Sequence, residues 1–300
     1  MIDFNQGCQS INKFGGSERK ITVSLKGELY MVKFPDPIRA KNNPLSYMNN
    51  QFSEYIGCKI FESAGIKTQD TILGYYTNDD GKKKIVVGCK DFTQDGSVLY
   101  EFSKLANELH QTEEIIKASI EDVYLIIDAN NSIIDKVRVK NCFWDVFIID
   151  ALIGNSDRHF DNFGITVKDN IIEFAPVYDC GSSLGALLSD EFMKCLIENQ
   201  TEFKNAEYNT TSCFSYQGKR IFYHEIFKNP PEDLSLAVKR VVPKIDINII
   251  NDIISNTPCL PDIRKEYLTR AVNLRYEQII SPAHQHTIKK AAIKEGDAGE

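Results

Sequence analysis

The chain has 300 residues, 42% of them hydrophobic, enough to bury one large core or two lobes. Its formal charge of -7 leaves no basic excess to displace counterions from a phosphate backbone, which argues against bulk nucleic-acid binding. The longest apolar runs, at residues 123–127 and 146–153, fall far short of the roughly 20 residues that a membrane-spanning helix needs.

The amino terminus, Met1-Ile2-Asp3-Phe4-Asn5, lacks the basic and apolar stretches of a secretion leader. Eight cysteines (8, 58, 89, 142, 180, 195, 213 and 259) are scattered without a Cys-x-x-Cys pair. That pattern reads as reduced, mostly buried thiols of a cytoplasm, not as a disulfide frame or a zinc site. Export by a leaderless route stays open.

Residues 8–34 read as a β-hairpin unit. Between residues 14 and 20 lies a polar turn carrying Gly15, Gly16, Ser17 and Lys20, where adjacent glycines let backbone amides approach phosphate oxygens. Most such turns only connect strands. Strands are expected at 21–25 and, past Lys26-Gly27, at 29–34. Lys33 ends the second strand, where its ammonium must find a partner or reach water, and for a lysine taken singly water is the commoner fate.

A helix is expected over 47–64, stopped by Gly65. It carries Glu54, a candidate partner for Lys33, although most helix glutamates are solvated. Strands at 71–76 and 85–88 flank the turn Asn78-Asp79-Asp80-Gly81. The next segment, 89–93, leaves the β-rich part. In a two-lobed nucleotide enzyme it would be a hinge touching adenine through backbone groups, which makes Lys90 and Phe92 candidates. Beyond it strands should be rare.

Apolar recurrence predicts helices over 113–128 and 137–153. The second is hydrophobic nearly all round and should be the central helix of its lobe. Its Asp145 and Asp150 read as helix-end or interface charges, since nothing else supplies a sugar-type site. A hairpin at 163–167 and 171–174 follows, turning at Asp169-Asn170. Residues 182–216 hold several Ser and Thr and little periodicity until a helix expected near 191–198, and kinases place a mobile segment there. Helices are expected at 234–241, 247–254 and 262–280. After Pro282 the tail to residue 300 should fray. His284 and His286 have no further ligands around them, so a zinc site there is improbable.

The densest chemistry lies at Gly154-Asn155-Ser156-Asp157-Arg158-His159-Phe160-Asp161-Asn162, with Pro176-Val177-Tyr178-Asp179-Cys180-Gly181 on the next strand. Polar loops at helix ends often carry Asn and Asp for turns alone. Here, however, Asp157 and Asn162 stand five apart, the Asp-to-Asn offset of the protein-kinase catalytic loop, and Asp179 falls where the kinase Asp-Phe-Gly segment falls. Hard oxygen donors of this kind suit Mg²⁺ better than zinc.

Together these segments resemble the HipA-like serine/threonine kinases, whose Gly-Asn-x-Asp-Arg-His-x-x-Asn and Pro-x-Tyr-Asp motifs match residues 154–162 and 176–179. The resemblance implies a fold of the α+β class, bilobal and protein-kinase-like. Its β-rich N-lobe would span 1–92 and its mainly helical C-lobe 93–280, with a flexible tail over 281–300. It implies ATP and Mg²⁺ between the lobes, with Asp157 as the base, Asn162 and Asp179 as metal ligands, Lys33 on the phosphates and Glu54 as its ion-pair partner. Gly15, Gly16, Ser17, Lys20, Lys90, Phe92 and His159 complete the expected nucleotide site, with Arg158 and His159 as scaffold of the loop. A Ser or Thr hydroxyl of a protein would be the acceptor, autophosphorylation is expected, and the compartment would be a bacterial cytoplasm.

Two departures stand out. Typical members carry roughly a hundred more residues before the phosphate loop, in line with a further small domain, which leaves an antitoxin partner doubtful. The family's loop serine, a self-phosphorylation site, aligns with Gly15. Phosphatidylinositol kinases share the Asp-Arg-His order, so a lipid or small-molecule substrate is the first alternative, disfavoured by the acidic balance. A nucleotide-binding pseudokinase acting as an interaction module is the second.

Overall fold

The computed structural model describes residues 1–10, 20–35, 49–110 and 118–297. The amino-terminal part is a six-stranded sheet built from β1 (Ile2–Asp3), β2 (Cys8–Ser10), β3 (Lys20–Leu25), β4 (Glu28–Lys33), β5 (Thr71–Thr77) and β6 (Lys83–Lys90), in the order β1-β5-β6-β4-β3-β2. All neighbours are antiparallel except β1 and β5. Lys26 and Gly27 both adopt positive φ, the conformation of a tight two-residue hairpin turn.

Alternation along β6 sorts its side chains to two faces. Val86 joins Phe4, Val23, Val32 and Phe34 in a small cluster on one side. Val87 and Cys89 instead meet Ile56, Ile60 and Phe61 of helix α1 (Asn50–Ser63) in the main core. The sheet thus presses α1 toward the rest of the molecule. Residues 47 and 48 of the expected helix lie outside the described residues.

The carboxyl-terminal part is mainly helical. Its axis is α4 (Lys136–Ile153), preceded by β7 (Val98–Glu101), α2 (Phe102–His110) and α3 (Ile120–Ala129). Asp135 caps the start of α4 by accepting from Arg138 N at 2.9 Å, and residues 146 to 153 are all buried, so the expected central helix is present. Residues 113–117 of the preceding expected helix are outside the described residues. Trp144 is buried, and its indole N–H donates to Tyr124 Oη at 2.8 Å.

Strands are less rare here than expected. β8 (Gly164–Lys168) and β9 (Ile171–Phe174) form the anticipated hairpin, with Asp169 and Asn170 both at positive φ, and β7 adds to its edge. The helix expected near 191–198 is α5 (Asp190–Glu198), and the rest of the segment expected to be mobile holds α6 (Gln200–Tyr208) and β10 (Thr211–Tyr216), which pairs with β11 (Lys219–Phe222). Only Phe203 and Glu207 of α6 are buried, so its apolar signal is thin. Its start is marked by Asn199, which accepts from Glu202 N at 3.2 Å.

A short α7 (Tyr223–Ile226), α8 (Glu232–Val241), α9 (Ile247–Ser255) and α10 (Asp262–Arg275) complete the body. Within the tail expected to fray at 281–300, Ser281–Asp297 form a helix, α11, that packs on α8 and buries Ala283 and Thr287, and residues 298–300 lie outside the described residues. Pro282 does not stop it, because the π-helical turn Tyr276–Ile280 just before absorbs the misfit of a residue without an N–H. No helix among the described residues is long and apolar enough to cross a membrane.

Candidate active site

Lys33 does not reach water. Its Nζ is buried, 2.8 Å from Glu54 Oε2 and 2.8 Å from Asp179 Oδ1. Glu54 is buried in the second turn of α1, and its other oxygen, Oε1, accepts from the backbone N–H of Cys180 at 3.1 Å. One carboxylate therefore fixes both the strand lysine and the 179–181 segment. A buried charge pair costs several kcal/mol of desolvation per ion unless further bonds satisfy it, and here both partners have such bonds.

The approach of α1 to this segment depends on Gly57. A Cβ there would lie 2.7 Å from Cys180 Cβ and 3.4 Å from its Sγ. Gly57→Ala is expected to lower stability by about 1–3 kcal/mol through overpacking, measured by chemical denaturation. A loss under a few tenths would show that the contact yields without strain.

Asp179 sits at φ 58, a left-handed conformation that a non-glycine residue holds only where its surroundings impose it. Burial pushes its carboxyl up. The hydrogen-bonded Lys33 ammonium, with Arg158 and Lys20 behind it, outweighs that and holds the group below the usual carboxylate range. Asp179 is thus a carboxylate at neutral pH, as a cation ligand must be. Lys20 stands opposite Lys33 on the β3–β4 ladder, within electrostatic reach of the site. Gly15, Gly16 and Ser17 lie outside the described residues.

On the other side, α4 ends at Gly154, whose φ of 64 closes the helix in a left-handed cap. A Cβ there would meet the Arg275 guanidinium at 2.7 Å, so glycine is required twice over. Asp150, in the last turn of α4, receives both Arg158 Nε at 2.9 Å and Nη2 at 3.0 Å, and also Asn155 Nδ2 at 2.8 Å. Asn155 Oδ1 in turn accepts from Asp157 N at 3.0 Å.

Arg158 is buried and reaches across to the second motif. Its Nη1 donates to the carbonyls of Asn162 at 3.0 Å and Tyr178, and lies 3.4 Å from that of Asp179. One guanidinium thus ties the 154–162 loop to the strand end carrying Asp179. Asn162 Nδ2 donates to the Asp157 carbonyl at 2.7 Å, so its Oδ1 is the atom suited to a cation. The Asp157 side chain is 45% exposed, open enough to meet a substrate, and its Oδ2 accepts from Ser182 Oγ at 3.1 Å.

His159 is half-exposed beside the same loop. Its Nε2 is 3.3 Å from Asn162 Nδ2 and 3.9 Å from Asp157 Oδ1, and its Nδ1 is 3.3 Å from Asp161 Oδ2. Phe92 faces Tyr178 with ring centroids 5.9 Å apart, an aromatic pair spanning the junction of the two parts.

Lys90 does not fit its expected place. Its N–H donates to Asp70 O at 2.8 Å, its carbonyl accepts from Gln69 Nε2 at 3.0 Å, and its ammonium pairs with Glu28 at 3.0 Å. β6 runs through residue 90, so the sheet consumes the backbone groups that a hinge would offer to adenine.

Sequence reasoning passed over Asp150, Asn155 and Ser182. Asp150 does carry an interface charge, but the interface is with the 154–162 loop. Its place in the last turn before a polar loop was the available signal.

The donors present are an amide oxygen and a carboxylate, the hard ligands that Mg²⁺ takes. Glu54, Cys58 and Cys180 also bring ligand atoms within 4.8 Å of one another. Two of those three donors are thiols, soft ligands that suit Mg²⁺ poorly, and Glu54 is already bonded to Lys33 and Cys180 N.

Residues 13–244 match the HipA-like C-terminal domain family. The serine/threonine-protein kinase CtkA of Helicobacter pylori strain J99 is 38% identical over 283 residues, 92% of this chain and 85% of that protein. The crystal structure of the H. pylori proinflammatory kinase CtkA superposes with a TM-score of 0.85 at 37% identity, covering 96% of this chain and 98% of that one. The Shewanella oneidensis MR-1 HipA, solved with HipB and operator DNA, shares the fold, with a TM-score of 0.56 at 12% identity over 91% of this chain and 67% of that one. A family match over most of the chain, a relative 38% identical over 92% of it and a superposing kinase structure agree, and the chain belongs to the HipA-like kinase family.

Proposed function

We propose that this HipA-like serine/threonine kinase transfers the γ-phosphoryl group of Mg-ATP to a Ser or Thr hydroxyl of a protein. The observation that carries the reading is Lys33, held 2.8 Å from both Glu54 and Asp179 on elements far apart in the chain. Nucleotide would lie between the sheet part, 1–92, and the helical part, 93–280. Lys33 and Lys20 supply positive charge for the phosphates, and Phe92 with Tyr178 an apolar wall. Asn162 and Asp179 would hold Mg²⁺, which neutralises charge on the phosphates when bound. Asp157 takes the acceptor proton. Arg158 acts at a distance by fixing the loop, so catalysis is chiefly positioning and charge stabilisation.

The eight thiols, none bonded to another, fit a reducing compartment such as a bacterial cytoplasm. Labelled ATP with Mg²⁺, offered to generic protein acceptors and to phosphoinositide vesicles side by side, tests the reading. Label on protein hydroxyls is expected. Label on lipid alone would replace the substrate class, and label on neither would leave a nucleotide-binding module. Asp179→Asn is expected to abolish Mg²⁺-dependent nucleotide binding, followed by calorimetric titration with and without the metal.

A further inference from the structure

Ser182 Oγ donates to Asp157 Oδ2 at 3.1 Å, so a hydroxyl of this chain already occupies the place of an acceptor before its base. The turn that presents it is fastened at several points. Ser183 N donates to Cys180 O at 3.1 Å, Leu184 N to Ile153 O at 3.0 Å, and Asn49 N to Ala186 O at 2.9 Å, tying the turn to the end of α4 and the start of α1. Leu184 and Gly185 both take positive φ to make this reversal. Three residues before Ser182 stands Asp179, the metal-ligand candidate.

Several neighbouring hydroxyls bond elsewhere. Ser183 is buried and donates to Cys180 O at 2.7 Å. Ser189 accepts from Phe192 N, Thr210 is directed at Glu207 O, and Ser212 accepts from Phe214 N. Ser182 is partly exposed and faces the base.

We infer that Ser182 is a phosphate acceptor in cis, the chain's own first substrate; the inference rests on the kinase reading of the site. In the transfer the Ser182 Oγ–Pγ bond forms and the bond from Pγ to the β,γ-bridging oxygen breaks. ADP leaves with that electron pair, and the hydroxyl proton passes to Asp157 and on to water. The product sets roughly -1.5 to -2 charges against Asp157. Such a chain presents no base to a second hydroxyl.

The experiment incubates the full chain with ATP and Mg²⁺ over a dilution series, with and without a generic protein acceptor, and locates phosphate by peptide mass spectrometry. Phosphate on Ser182, appearing with a rate constant independent of protein concentration, is expected. Ser182→Thr should retain label at that position, and Ser182→Ala should lose that label. Phosphate only elsewhere, or label at Ser182 that slows in proportion to dilution, overturns the inference. If the added acceptor is phosphorylated while Ser182 stays bare, the inference falls and the site reading stands. If neither is phosphorylated, both fall.

Discussion

Asp157→Asn is expected to bind Mg-ATP as the parent chain does and to lose phosphoryl transfer by about 10²-fold or more. The change is nearly isosteric. The Asp157 backbone bonds that organise the loop, to Asn155 Oδ1 at 3.0 Å and from Asn162 Nδ2 at 2.7 Å, do not involve the altered atoms. Only the proton-accepting oxygen is lost. Initial rates at saturating ATP, together with a nucleotide Kd, separate the two effects. His159 stands close enough to serve as a rival base, with Nε2 3.9 Å from Asp157 Oδ1. Full turnover in Asp157→Asn with loss in His159→Gln would transfer the role to the imidazole.

Asp150→Ala is expected to cost about 3–5 kcal/mol of stability, the penalty for leaving a buried charge without its partner. Arg158 would keep its carbonyl contacts but lose both bonds to the carboxylate, and Asn155 would lose a third. The effect should appear as a lower denaturant midpoint with little change in slope. Asp150→Ala combined with Arg158→Met should recover part of that loss, since no unpaired guanidinium remains. A cost below about 1 kcal/mol in the single variant would mean that water reaches Arg158 and that the pair is not a true anchor.

These two carboxylates, seven residues apart, were unequally legible. Asp157 announces itself through the five-residue offset to Asn162 and the following Tyr-Asp, because a loop's chemistry is written in local spacing. Asp150 sits on an apolar helix where a lone acid usually means an end or an edge. Nothing local reveals that Arg158, on the far side of a left-handed cap, folds back onto it. Lys33 and Glu54 are intermediate. Each alone favours solvent, and only the kinase pattern suggested pairing them.

The misplacements have physical causes as well. Lys90 was assigned by its position after a strand, yet β6 extends through it and spends its backbone in the sheet. The 182–216 segment looked irregular because α6 buries only Phe203 and Glu207, and Tyr267 Oη and Arg275 satisfy that glutamate from α10. The tail looked frayed because Pro282 normally ends a helix, and a π-helical turn removed the conflict.

By itself the sequence determined the chemical groups of the site, the helix that leads into it and the hairpin that follows, since these depend on periodicity and on offsets within one loop. What only the tertiary structure decided is which groups face one another: Lys33 with an aspartate 146 residues later, Arg158 with Asp150, and Ser182 with Asp157. Such pairings arise from chain reversals and packing between elements, where the desolvation of a buried charge selects its partner and short-range spacing carries no record of the choice.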